Sequence, residues 1–175
     1  MKSSANAKYI DHYIDNGFIK ICQVEDYCNH WYYKNVDRDL MYEDHRSWVY
    51  FIVRDREIVK IGETEQPLGI YTPTEDQPKS GTDCRLGRLR KQKSTTKSGK
   101  EDTDEFIRDN LREDISNGIE VSIWALKCPT VGVERTIGTS TSIVGGKFHK
   151  DLEKQYIDYF ERCVGQKPIL NKGRA

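Results

Sequence analysis

No run in this chain approaches the roughly 20 consecutive apolar residues that a membrane helix requires, so a membrane partner is not expected. The opening "MKSSANAKYIDHY" has no apolar block of the kind a secretory signal carries, and charged residues make up 32% of the sequence. A soluble, cytoplasmic protein is therefore expected. Cysteine is scarce and unpatterned. The five residues (Cys22, Cys28, Cys84, Cys128 and Cys163) are odd in number and scattered, which excludes a disulfide framework and fits reduced thiols. "CQVEDYCNH", with Cys22, Cys28 and His30, has the wrong spacing for an ordinary zinc site. There is no phosphate-binding P-loop, no GxGxxG and no internal repeat. Net charge is lacking too. The 28 basic residues balance 28 acidic ones, so a simple polyanion binder is excluded.

The distribution of that charge is more informative. "RLGRLRKQKSTTKSGK", from Arg85 to Lys100, holds seven basic residues and no acid, while acids gather elsewhere, as in "EDTDE" from Glu101. A local basic strip on a neutral protein is compatible with phosphate binding on one face. A solvated loop is the plainer account of its "KSTTKSGK" end.

With 175 residues, the chain is long enough for one domain with a real core. Residues 1–47 read as a mostly helical arm, since Tyr9, Ile10, Tyr13, Ile14 and Phe18 fall near helical spacing. Strands are expected at about 48–53 and 58–62, and a third in "IEVSIWALK", after Gly118. Helices are expected near 83–93, 103–116 and 148–164. "PLGIYTPTEDQPKSG" and "TIGTSTSIVGGK" read as loops. Mixed elements without repeated βαβ units indicate an α+β domain: a helical arm over 1–47 and a core over 48–172 within one compact unit.

The hairpin "WVYFIVRDREIVKIGETE" carries the chemistry. Trp48, Tyr50 and Ile52 share one face of the first strand, and Ile58, Lys60 and Gly62 share a face of the second. Tyr50 and Lys60 meet on one surface only if an odd number of residues separates the paired positions, because a one-residue slip reverses every side chain. Otherwise Tyr50 is core and Lys60 snorkels at an edge.

"VYF", followed by "KIG" at Lys60-Ile61-Gly62, resembles the two signatures of the GIY-YIG nuclease family, with Lys60 in place of the second motif's tyrosine. "RLRKQ" supplies Arg88, with Gln92 where family members often have His. "DLEKQYIDYF" supplies Glu153, and "PILN" supplies Asn171. The order of elements is also similar. The resemblance implies a small core with a three-stranded antiparallel sheet flanked by helices. The Lys variant is similar to compact type II restriction endonucleases of that family. The implied activity is metal-dependent hydrolysis of phosphodiester bonds in double-stranded DNA. A phage or mobile-element endonuclease is the alternative, and an inactive DNA-binding module is the alternative of another class.

The resemblance assigns catalysis to Tyr50, Lys60, Arg88 and Glu153. Arg88 would fork onto phosphate oxygens. Arg85, which opens an overlapping Arg-Leu pair, is its rival. Tyr50 or Lys60 would help deprotonate water, and the sequence leaves that choice open. Glu153 would hold one Mg²⁺ (or Mn²⁺) per active site, a hard cation suited to a single carboxylate and several waters. Helical geometry places it in line with Ile157, Phe160 and Val164. Its rival Glu161 lies with Lys154 and Asp158 on a wetter face. Arg85, Arg90, Lys91, Lys93 and Asn171 are the expected DNA contacts. His149, four residues before Glu153, reads as a capping or surface residue. A homodimer is expected, because a palindromic duplex invites two-fold symmetry.

Overall fold

The computed structural model describes residues 4–27, 30–37, 39–40, 45–69, 84–90, 103–130, 132–137, 140–146 and 148–171. The fold is α+β. Strands β1 (Ile19–Tyr27), β2 (His30–Lys34), β3 (Trp48–Arg54), β4 (Glu57–Thr64) and β5 (Val121–Lys127) form one antiparallel sheet in the order β2-β1-β5-β3-β4. Helices α1 (Arg85–Arg90), α2 (Thr103–Ser116) and α3 (Phe148–Val164) flank it.

The expected three-stranded sheet is thus a five-stranded one, and the expected helical arm is not a helix. Residues 4–16 form three short 3-10 turns, closed by bonds such as Tyr13 N to Ile10 O and Gly17 N to Ile14 O. They bury Ile10 and Tyr13 but leave Tyr9 and Ile14 exposed. Gly17, at φ 91°, ends them in the left-handed region that glycine tolerates. The chain then enters β1, which pairs along the far side of β5. An apolar strand such as β5 would otherwise expose a row of unpaired backbone groups. The helical spacing of the tyrosines is real, but it says nothing about the β-forming stretch that follows.

The segment read as the loop "TIGTSTSIVGGK" also differs. Gly132–Ile137 (β6) and Ser140–Gly145 (β7) pair as a separate antiparallel ribbon. Both runs are rich in β-branched residues, Val133, Thr136 and Ile137 in one and Thr141, Ile143 and Val144 in the other, which favours strand pairing.

Each face of the sheet has its own core. Trp48, Tyr50 and Ile52 pack with Leu86 and Leu89 of α1 and Ile107 and Leu111 of α2. Val49, Phe51 and Val53 pack on the opposite side with Tyr13, Phe18 and Phe160, where the rings of Phe18 and Phe51 stack at 4.0 Å.

The β3–β4 hairpin turns on Asp55 and Arg56, at φ 43° and 72°. Such a two-residue turn would set Phe51 opposite Lys60. The ladder instead slips by one residue: Val53 pairs with Ile58, but Ile52 pairs with Lys60 and Tyr50 with Gly62. Val59 is the extra residue, a β-bulge. Two turn residues and one bulge make the count odd, and Lys60 and Gly62 come to the face that bears Tyr50.

Candidate active site

Gly62 faces Tyr50 across the ladder for a steric reason. A Cβ built at position 62 would lie 2.4 Å from both Cζ and Oη of Tyr50. Only glycine leaves room for the phenol to cross β4. The ring is 3% exposed, and its hydroxyl accepts a hydrogen bond from Arg85 Nε at 3.0 Å. The Arg85 guanidinium also lies over the phenol, 5.0 Å from its centroid. Its other two nitrogens donate to Asp104, Nη1 to Oδ2 at 3.0 Å and Nη2 to Oδ1 at 2.7 Å. A bidentate guanidinium–carboxylate pair fixes direction as well as charge.

The local structure explains how α1 delivers Arg85 there. The helix's first backbone N–H groups, of Arg85 and Leu86, donate to the carbonyls of Pro67 and Leu68. Gly87 N donates to Cys84 Sγ at 3.3 Å, a thiol acting as cap. Tyr33 Oη donates to Leu86 O, and buried Arg108 of α2 donates to Leu89 O near the other end. A cation is favoured at that C-terminal end. Asp104 occupies the first turn of α2, where a carboxylate is favoured for the opposite reason.

Burial is the largest influence on Tyr50 and pushes its pKa up; Arg85 opposes this, while the carboxylates of Asp104 and Glu153 add to it, and the net direction is upward. For Arg85, burial pulls the pKa down, but Tyr50 and Asp104 more than restore it, so the guanidinium stays charged. Glu153 itself lies on the half-buried side of α3. Glu161, Lys154 and Asp158 are all exposed.

Tyr50, Arg85, Asp104 and Gly62 form one cluster, and Lys60 lies on the same sheet face, half-buried. Arg88 is three residues along α1, with a side chain 46% exposed and its Nε 3.9 Å from Asp104 Oδ2. The two arginines are thus placed differently. Arg85, expected to hold a neighbouring phosphate, is interior and engaged by Tyr50 and Asp104, while Arg88 is open to solvent. Asn171 is half-buried. Its amide donates to Ile61 O and accepts from Ile61 N, both at 2.7 Å, and Leu170 N donates to Val59 O at 2.8 Å. The chain's last described residues thereby pair with the outer edge of β4 at its bulge. Arg90 lies over the ring of Tyr32, 5.1 Å away at the far edge of the sheet. Lys91 and Lys93 lie outside the described residues. His149 is 4% exposed, so the surface reading of it does not hold.

The fold is similar to that of bacteriophage T4 EndoII. A mutant of that protein matches with a TM-score of 0.57 over 88% of this chain and 96% of the other, at 14% identity. Restriction endonuclease HPY188I in complex with product DNA matches over 99% of this chain and 92% of its own, at 16% identity and a TM-score of 0.44. No family model and no curated protein sequence matches the chain.

Asp104 is the member of the cluster that sequence reading missed. "EDTDE" reads as a solvated acidic run, and nothing local says that its Asp104 turns inward onto an arginine 19 residues earlier. Among the described residues no helix is long and apolar enough to cross a membrane. No group of three or more His, Cys, Asp or Glu there could hold a metal ion.

Proposed function

We propose that this chain is a DNA endonuclease of the GIY-YIG kind, hydrolysing phosphodiester bonds in double-stranded DNA. The observation that carries the reading is the Tyr50 hydroxyl lying against Gly62, held by Arg85, which Asp104 in turn holds. The two sequence signatures and the EndoII-like fold support it.

Hydrolysis needs a base for water, charge neutralisation on the phosphate and help for the leaving oxygen. Tyr50 is the base. Burial holds the phenol protonated and the Arg85 N–H on its oxygen offsets part of that cost; once ionised, the phenolate takes a proton from water as the water oxygen attacks phosphorus and the bond to the departing oxygen breaks. Asp104 keeps Arg85 in that orientation. Lys60 adds positive charge on the same face. Arg88, exposed beside the cluster, forks onto the phosphate oxygens. Glu153 would hold one Mg²⁺ or Mn²⁺ per active site, which supplies Lewis-acid stabilisation of the departing oxygen.

Within this class, Lys60 supports a type II restriction enzyme acting as a homodimer on a palindromic site. The phage EndoII fold supports a phage endonuclease as the second reading. Incubating the purified chain with supercoiled plasmid, with Mg²⁺ and with EDTA, tests the proposal. Mg²⁺-dependent nicking is expected, and mapping the ends separates one recognised sequence from many. Retarded but intact plasmid at every metal concentration would leave only the inactive binding module.

A further inference from the structure

Outside the Tyr50 cluster, one group of titratable side chains, gathered around the buried His149, has no part in the chemistry above. His149 sits in the first turn of α3. Its Nδ1 lies 3.0 Å from Ser47 Oγ, just before β3. Its Nε2 lies 3.4 Å from Glu63 Oε2 and 3.4 Å from Glu65 Oε1, yet makes no aligned hydrogen bond to either. Lys150, the next residue, reaches the same Glu65 oxygen at 3.6 Å. Buried polar atoms rarely lack a partner, so an imidazole enclosed by two carboxylates calls for an explanation.

Two relations tie this group to the candidate centre. His149 and Glu153 are four residues apart, so they leave the same side of α3 one turn from each other. Glu63 directly follows Gly62 on β4. Side chains alternate along a strand, so Gly62 receives Tyr50 on one face while Glu63 meets His149 on the other. One two-residue step of β4 thus touches both Tyr50 and the attachment of the helix that carries Glu153.

We propose that His149 is a positioning residue. By holding the first turn of α3 against Ser47, Glu63 and Glu65, it sets where the Glu153 carboxylate sits relative to Tyr50. The inference rests on the reading of Glu153 as the metal ligand. Loss of a residue that orients a metal ligand typically weakens metal binding by about 10–100-fold, and a shift of that order is expected here.

The test compares wild type, His149→Ala, His149→Gln and Val164→Ala. The last removes packing at the opposite end of α3 and serves as a control for lost stability. Melting temperature, the Mg²⁺ concentration for half-maximal single-turnover nicking, and Mn²⁺ binding to the DNA complex by electron paramagnetic resonance are measured on each. His149→Ala is expected to weaken Mn²⁺ binding and raise the Mg²⁺ requirement. His149→Gln, which keeps an N–H toward Glu63 and Glu65, restores most of both, and Val164→Ala lowers only the melting temperature. Should His149→Ala fail to fold, His149→Asn, which keeps only the Ser47 contact, takes its place with the same expectation. Wild-type Mn²⁺ affinity in His149→Ala or His149→Asn overturns the proposal, and so does an equal shift in Val164→Ala. A wild-type protein that neither binds Mn²⁺ nor nicks DNA overturns the nuclease reading instead.

Discussion

Gly62→Ala is the sharpest perturbation of the candidate site, because it adds one methyl group and no charge. That methyl would sit 2.4 Å from Cζ and Oη of Tyr50, where ordinary contact begins at 3.4 Å. The phenol end must therefore move by about 1 Å, or β4 must recede. Tyr50 is fully enclosed, so the ring has little room to turn. A displacement of that size breaks the 3.0 Å bond from Arg85. Overpacking of this kind costs roughly 1–3 kcal/mol, and each kcal/mol moves the melting temperature of a chain this long by about 2–4 °C. The catalytic loss should be larger, since a 1 Å misplacement of a reacting group can cost about 10²-fold in rate. Thermal unfolding and single-turnover plasmid nicking measure the two effects separately. In a Tyr50→Phe background there is no hydroxyl left to misplace, so adding Gly62→Ala should lower the rate little further. If Gly62→Ala nicks and melts like the wild type, the close approach at Gly62 has no bearing on catalysis.

The other expectations can be checked alongside. Glu153→Gln should abolish Mg²⁺-dependent nicking while DNA binding persists, and near wild-type cleavage would pass the metal role to another acid such as Glu161. Arg88→Ala should lower the single-turnover rate by about 10²–10³ without altering the melting temperature. Arg85→Ala should instead destabilise the fold by about 3–5 kcal/mol, because it removes the bidentate partner of the buried Asp104 carboxylate; a folded Arg85→Ala protein with only a reduced salt dependence of DNA binding would refute that. Asn171→Ala should lower the melting temperature and speed amide exchange at Ile61, whose N–H and C=O it leaves without their side-chain partner, and unchanged exchange would show that the clamp is dispensable. Tyr50 is held above its ordinary pKa of about 10, so the fold binds the phenolic proton more tightly than the unfolded chain does. Its contribution to stability is complete below about pH 10 and is lost as pH rises beyond that. Alkaline unfolding should therefore be shallower in Tyr50→Phe, whereas wild-type cleavage should rise with pH until unfolding intervenes.

Periodicity and punctuation were enough to place the β3–β4 hairpin, β5, α2 and α3, because each signal lies within a few residues of chain. Tyr50, Gly62 and Glu153 were singled out by the resemblance of the short motifs that hold them. The sequence could also state the condition for Tyr50 and Lys60 to share a face, but it could not say whether the condition is met. Tertiary structure decides that through the bulge at Val59, which Leu170 and Asn171 border from 110 residues away. It also decides which arginine is interior, since Arg85 and Arg88 look alike until Asp104 arrives from another helix. β1 and β2 are strands because β5 presents an edge that needs pairing, and His149 is buried because α3 lies against β4. Local pattern specifies elements, whereas register, burial and ion pairing depend on groups that only folding brings together.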